Sequence, residues 1–117
     1  KSHLVQEAYY QKDLGYEDFR IKRANGKAVE KRIKADYNPN TALLNVSFPI
    51  SMKSIKGNLK MYRPSNKYMD KTFPIQLDSI NSMSIHLKDN FSKGLWKLQL
   101  DWINSSTSYY HELDIVI

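Results

Sequence analysis

The chain has 117 residues, 18 Lys and Arg against 12 Asp and Glu, a net charge of +6 and no cysteine. That length is one domain, with enough chain to bury roughly two-thirds of its unfolded surface. Disulfides, thiolate metal sites and cysteine nucleophiles are excluded, and fourteen aromatic residues argue against disorder. No apolar run approaches the 18 or more residues that a membrane span needs. The basic excess does not single out a nucleic-acid partner: residues 1–36 and 37–117 each carry nine basic and six acidic groups. The one local cluster is Lys53, Lys56, Lys60, Arg63, Lys67 and Lys71, opposed by Asp70 alone. It reads as a solvated face of strands and turns, with an anionic partner or lipid headgroup surface as the alternative.

The first segment, residues 1–26, is predicted helical. Leu4, Val5, Ala8, Tyr9, Tyr16 and Phe19 fall within about 140° on a helical wheel. Ser2 is positioned as an N-cap, and Asn25-Gly26 reads as the helix stop because both residues tolerate positive φ. Tyr10, Leu14 and Ile21 form a second apolar line. Either Gly15 bends the helix so that both lines meet one core, or the second line faces a partner.

From residue 31 to 117 the pattern has period two. Lys31–Tyr37 places Ile33 and Ala35 on one face, and Asn38-Pro39-Asn40 is a turn signal. Ala42–Pro49 alternates Leu44, Val46 and Phe48, and Asn58–Arg63 alternates Leu59 and Met61. Pro64-Ser65-Asn66 ends that run, and Thr72–Leu77 and Met83–Leu87 follow. Leu95–Ile103 is the clearest strand, with Trp96, Leu98, Leu100 and Trp102 opposite Lys97, Gln99 and Asp101. Asn104-Ser105-Ser106 is a loop before a final strand, Thr107–Ile117. Seven short strands predict a mainly β, immunoglobulin-like antiparallel sandwich carrying an N-terminal helix, in a single domain.

Catalytic signatures are missing: there is no phosphate-binding glycine loop, nucleophile elbow or His-Glu-x-x-His. The chain is therefore expected not to be an enzyme and to take no small-molecule substrate. Methionine and histidine are suitable copper ligands, but Met83 and His86 point to opposite faces of a strand. Met83 and Met61 alternate with core residues, leaving Met52, Met69 and His111 as candidate ligands, with His111 partly covered. The aromatic residues alternate with aliphatic ones rather than with basic ones, so no nucleic-acid partner is expected.

Three stretches carry a family resemblance. His3-Leu-Val-Gln-Glu-Ala-Tyr9-Tyr10-Gln-Lys12-Asp-Leu14-Gly-Tyr16 resembles the segment after the single membrane span of FixH-type proteins, especially those of Bacteroidetes. Gly57-Asn-Leu59-Lys-Met61-Tyr62-Arg63-Pro64-Ser65-Asn66, with Asp70 and Phe73-Pro74-Ile75, is similar to the family's Arg-Pro-Ser segment. Gly94-Leu95-Trp96 and Leu100-Asp-Trp102 resemble its Gly-x-Trp…Trp ending, with Tyr109 or Tyr110 closing the last hairpin. The resemblance implies a non-catalytic accessory protein, with a membrane helix preceding Lys1 in a longer precursor and the β domain on the periplasmic side of the cytoplasmic membrane. Its implied partners are membrane proteins of cbb-type oxidase assembly or of a copper pump. Tyr62, Arg63, Pro64, Ser65, Asn66 and Asp70 become the family-like surface, and Tyr10, Leu14 and Ile21 a docking face on the helix. Alternatives are a Met/His copper-binding carrier and a general extracytoplasmic binding sandwich. Turn chemistry also explains Pro64, Ser65 and Asn66, with Arg63 and Asp70 as an ion pair across the turn. A purely surface role predicts that Arg63→Ala leaves the melting temperature nearly unchanged.

Overall fold

A computed structural model describes residues 18–87 and 91–117, apart from the side chain of Lys67. A helix, α1, covers residues 18–29 and tightens into a 3₁₀ turn, Glu30–Arg32. Seven strands follow: β1 (Lys34–Asn38), β2 (Leu43–Ser47), β3 (Ile55–Arg63), β4 (Asn66–Pro74), β5 (Ser82–His86), β6 (Leu95–Asn104) and β7 (Thr107–Val116). They form two antiparallel sheets, ordered β1-β2-β5 and β4-β3-β6-β7. This is the expected immunoglobulin-like sandwich. Its fourth strand pairs with β3, whereas in antibody constant domains it joins the first sheet. Among the described residues, no helix is long and apolar enough to cross a membrane.

The alternating residues set the core. Trp96, Leu98, Leu100 and Trp102 of β6 are fully or almost fully buried, over Leu59 and Met61 of β3. Leu44 and Val46 of β2 and Ile85 of β5 close the core from the other sheet. Both indole N–H groups have acceptors: Trp96 Nε1 donates to Ser92 O (2.8 Å) and Trp102 Nε1 to His111 Nε2 (3.1 Å). Phe48 meets Trp102 edge-on, and Tyr109 stacks on it with ring centroids 4.2 Å apart. Each aromatic pair of this kind adds about 0.5–1.5 kcal/mol beyond area burial.

The helix departs from its predicted limits. It runs through Asn25-Gly26 instead of stopping there. Gly26 is used for close approach: a Cβ on it would lie 2.1 Å from Tyr110 O and 3.1 Å from His111 Cβ. The helix backbone therefore lies directly against β7, the edge strand of the larger sheet. Lys22 Nζ pairs with Asp101 Oδ1 at 3.0 Å, Asn25 Nδ2 donates to Ser108 O at 2.9 Å, and Val29 packs on the core. Phe19 and Ile21 flank this contact line and remain 38% and 58% exposed. Within residues 18–29 the first apolar line contributes Phe19, which lies against Tyr110, and the second contributes Ile21, which is exposed. The closest approach to the sheet is set by the missing Gly26 side chain and two polar tethers. Leu4, Val5, Ala8, Tyr9, Tyr10, Leu14, Tyr16 and the Ser2 cap lie outside the described residues.

Helix propensity predicts that Gly26→Ala stabilises by about 1 kcal/mol. The contact with Tyr110 O reverses the sign, since overpacking costs about 1–3 kcal/mol. Thermal unfolding followed by circular dichroism is expected to show a melting temperature several degrees lower; an increase would mean that α1 does not rest on β7.

Candidate functional site

The β6–β7 register turns one row of side chains outward on the larger sheet. Lys97 pairs with Asp114, Gln99 with Glu112, and Asp101 with Tyr110. Tyr62 and Lys60 of β3 continue these rows. Glu112 is the hub. Its Oε1 accepts from the Tyr62 hydroxyl at 3.3 Å, and its Oε2 from Gln99 Nε2 at 3.2 Å and from the Tyr110 hydroxyl at 3.1 Å. Burial, reinforced by the Glu112 carboxylate, pushes both phenols above their ordinary pKa, Tyr110 strongly so. Both therefore stay protonated donors at neutral pH. Beside them the bond to Asp114, 2.8 Å long, raises the Lys97 ammonium.

This network reaches the helix. Tyr110 lies against Phe19 with centroids 4.9 Å apart, and the Arg23 guanidinium sits 5.7 Å over the Phe19 ring. Between α1 and β7 lies a cleft of about 480 Å³, lined by Phe19, Arg23, Lys27, Glu30, Tyr110 and Glu112 among others. It offers two cations, two carboxylates and an aromatic pair, the chemistry of a polar docking surface with aromatic anchors.

The six family-like residues divide between different environments. Tyr62 belongs to the Glu112 network. Arg63 folds over the end of the core: its Nη1 donates to Lys93 O at 2.8 Å and its guanidinium lies 5.4 Å over the Trp96 ring. Gly94, at φ +122°, gives this group its passage, because a Cβ there would meet Arg63 Nη2 at 2.9 Å. Pro64 and Ser65 form the exposed β3–β4 turn, and Asn66 Oδ1 accepts the Tyr68 N–H at 3.0 Å. Asp70 pairs with Lys60 at 3.4 Å, which replaces the expected Arg63–Asp70 pair. Arg63 reaches Trp96 instead because the β3–β6 register sets Tyr62 opposite Lys97, which brings the next residue of β3 beside Trp96. Of the helix docking line, Ile21 is exposed, whereas Tyr10 and Leu14 lie outside the described residues.

The candidate metal ligands do not converge. Met69 on β4 and His111 on β7 occupy opposite edges of the four-stranded sheet, three strand spacings or about 14 Å apart across the sheet and further apart along the strands. Met52 lies in the β2–β3 loop, where its carbonyl accepts from Asn81 Nδ2. His111 is buried rather than partly covered. Its Nε2 accepts from Trp102, and its Nδ1 has no hydrogen-bond partner among the described residues. No group of three His, Asp or Glu side chains suited to a metal ion occurs among the described residues.

Glu112, Gln99 and Tyr110 were not singled out by spacing, although a signal was present. The short Asn104–Thr107 connection pairs β6 with β7, and counting outward from it brings Gln99 opposite Glu112.

A comparison with protein-family models matches FixH over residues 1–116. No curated protein and no solved structure matches the chain.

Two outcomes follow from this geometry. Arg63→Ala removes a cation–π contact and a charge-assisted hydrogen bond over a core tryptophan, so a loss of about 1–2 kcal/mol in chemical denaturation replaces the expected neutral effect. An unchanged midpoint would return Arg63 to a purely surface role. Burial also lowers the His111 pKa from 6.5 to about 4, so the folded state binds fewer protons than the unfolded state between those values. Stability is complete above pH 6.5 and declines by up to about 3 kcal/mol as pH falls towards 4. In His111→Gln, which retains an acceptor for Trp102, melting temperatures measured from pH 7 to 4 are expected to lose this component of the decline.

Proposed function

The chain belongs to the FixH family, and from that premise we propose that it is a non-catalytic accessory protein that assists assembly of a cbb-type cytochrome oxidase through protein–protein contacts. Family membership fits an accessory role in oxidase assembly in general. In the finer reading the domain works on the periplasmic side of the cytoplasmic membrane, held by a helix that precedes Lys1. Its partners are membrane proteins of the oxidase-assembly or copper-pump system.

The observation that supports docking is the Glu112 hub. It holds Tyr62, from the family-like Arg-Pro-Ser segment, and Tyr110, which packs on Phe19 of α1, in one hydrogen-bonded surface. Tyrosines held in place by donating their hydroxyls to Glu112 lose little freedom on binding, and they offer a partner both ring area and the remaining acceptor lone pairs of the hydroxyl oxygens, the features of an interface anchor. Docking is favoured over copper carriage because Met69 and His111 stand on opposite edge strands and His111 Nε2 is engaged by Trp102.

The test is a pair of substitutions, Tyr62→Ala and Glu112→Lys, introduced at the chromosomal locus. Exposed contacts of this type contribute at most about 1 kcal/mol each, so the fold persists. The expected result is a marked drop in assembled cbb-type oxidase, read from the haem spectrum of isolated membranes, with the variant present at normal level. Wild-type oxidase content in both strains would remove the docking proposal.

A further inference from the structure

One end of the sandwich combines features that the docking face does not use. The loop from β2 to β3 makes a tight turn in which Met52 N donates to Pro49 O at 3.1 Å, with Ile50 inside it. The β4–β5 loop makes another, in which Asn81 N donates to Asp78 O at 3.1 Å, with Ile80 inside it. Ile50 is 71% exposed and Ile80 60%. Asn81, in the left-handed region at φ 57°, joins the two turns: its Nδ2 donates to Pro49 O and Met52 O, at 2.8 and 2.7 Å, and its carbonyl accepts from Phe48 N at 2.8 Å. Asp78 Oδ1 accepts the backbone N–H of Ile80 and of Ser82. Two large aliphatic side chains are thus held out into water on a braced double turn, with their backbone already ordered.

The same end is basic. The 3₁₀ turn Glu30–Arg32 leads into β1, whose first residue pairs with the last residue of β2, and that residue pairs with the first of β5. Lys31, Arg32 and Lys34 therefore stand at this end, as do Lys53 and Lys56 at the start of β3; all five are exposed. Lys53 is tied in through its backbone N–H, which donates to Asn104 Oδ1 at 3.1 Å at the β6–β7 turn. Against these five cations stand Glu30 and Asp78, with Asp101 close to Lys56 but paired with a sixth cation, Lys22.

We infer that the Ile50–Ile80 end of the sandwich is a contact site for an anionic lipid bilayer, with the two isoleucines entering the headgroup–acyl boundary and Lys31, Arg32, Lys34, Lys53 and Lys56 facing the anionic headgroups. Aliphatic groups ringed by Lys and Arg bind such a surface through two additive terms, burial of apolar area and attraction to its negative potential. A protein partner would need carboxylates arranged around an apolar pocket, whereas the bilayer supplies both chemistries without shape matching. The inference stands on this end alone and does not rest on the oxidase-assembly reading.

The test is co-sedimentation of the 117-residue chain with vesicles. Binding is expected to vesicles of phosphatidylcholine with about one-third phosphatidylglycerol. It is expected to weaken with salt and to be much weaker on phosphatidylcholine alone. Ile50→Ser/Ile80→Ser keeps the net charge and is expected to reduce affinity by roughly tenfold or more. Lys53→Glu/Lys56→Glu is expected to reduce it at least as far. Val116→Ser, which removes an aliphatic side chain exposed by 70% near the other end of β7, is expected to change nothing. All these side chains are exposed, and matching melting curves show that each variant is folded. Lack of binding to anionic vesicles would overturn the inference. So would equal binding by the double isoleucine variant, which would reduce the effect to the overall charge of the chain.

Discussion

The pairing of β6 with β7 is the constraint on which the rest of the molecule depends. Ten residues of each strand are in antiparallel register, from Leu95 opposite Val116 to Asn104 opposite Thr107. Because side chains alternate across a strand, one register decides two surfaces at once. Inward it places Trp96, Leu98, Leu100 and Trp102 in the core beside Ile115 and His111. Outward it places Gln99 and Tyr110 where both can donate to Glu112. A slip of one residue would bury Lys97 and Asp101 and expose both tryptophans, so the hydrophobic core specifies the polar network.

The edges of the larger sheet are protected in different ways. On the β7 side the helix covers the strand, and contact with the Tyr110 backbone is close enough to require glycine at position 26. On the β4 side Lys71 stands opposite the buried Met61 while itself remaining exposed. An inward-side charge on an edge strand opposes addition of a further strand. The covered edge is also the one that carries the candidate docking surface. Phe19 and Arg23 extend the sheet's aromatic and charged groups onto the helix, so edge protection and the proposed interface use the same contact.

Among the described residues, His111 is in tension with its surroundings. His111 accepts the Trp102 N–H, which satisfies the indole, yet its own Nδ1 finds no partner among the described residues and burial opposes its protonation. Arg63 has the converse position. A charged side chain lies across the end of the core, supported by the face of Trp96 and the Lys93 carbonyl, with its passage opened by Gly94. Both tryptophans are thus held by a basic side chain, one through its N–H and the other through its ring face.

The amino-acid sequence by itself determined that there are seven strands, the inward residues of β2, β3 and β6 and the resemblance to FixH, because period-two alternation, turn residues and short motifs are local signals. It misplaced β4, which runs from Asn66 to Pro74 rather than over 72–77, because the strand resumes directly after the Pro64-Ser65 turn. The helix limit at Asn25-Gly26 was misread because those signals are local. Local rules give that pair as a stop, and the backbone that Gly26 approaches lies 84 positions further along the chain. Only the tertiary structure decided which sheet β4 joins, that Asp70 pairs with Lys60, and that Arg63 covers Trp96. It also decided that Tyr62, Glu112 and Tyr110 form one network, and that Ile50 and Ile80 share one braced end. Each of these depends on strand pairing or loop-to-loop contact between distant segments, which hydrophobic periodicity does not encode because it specifies which face is buried and not which element lies against it.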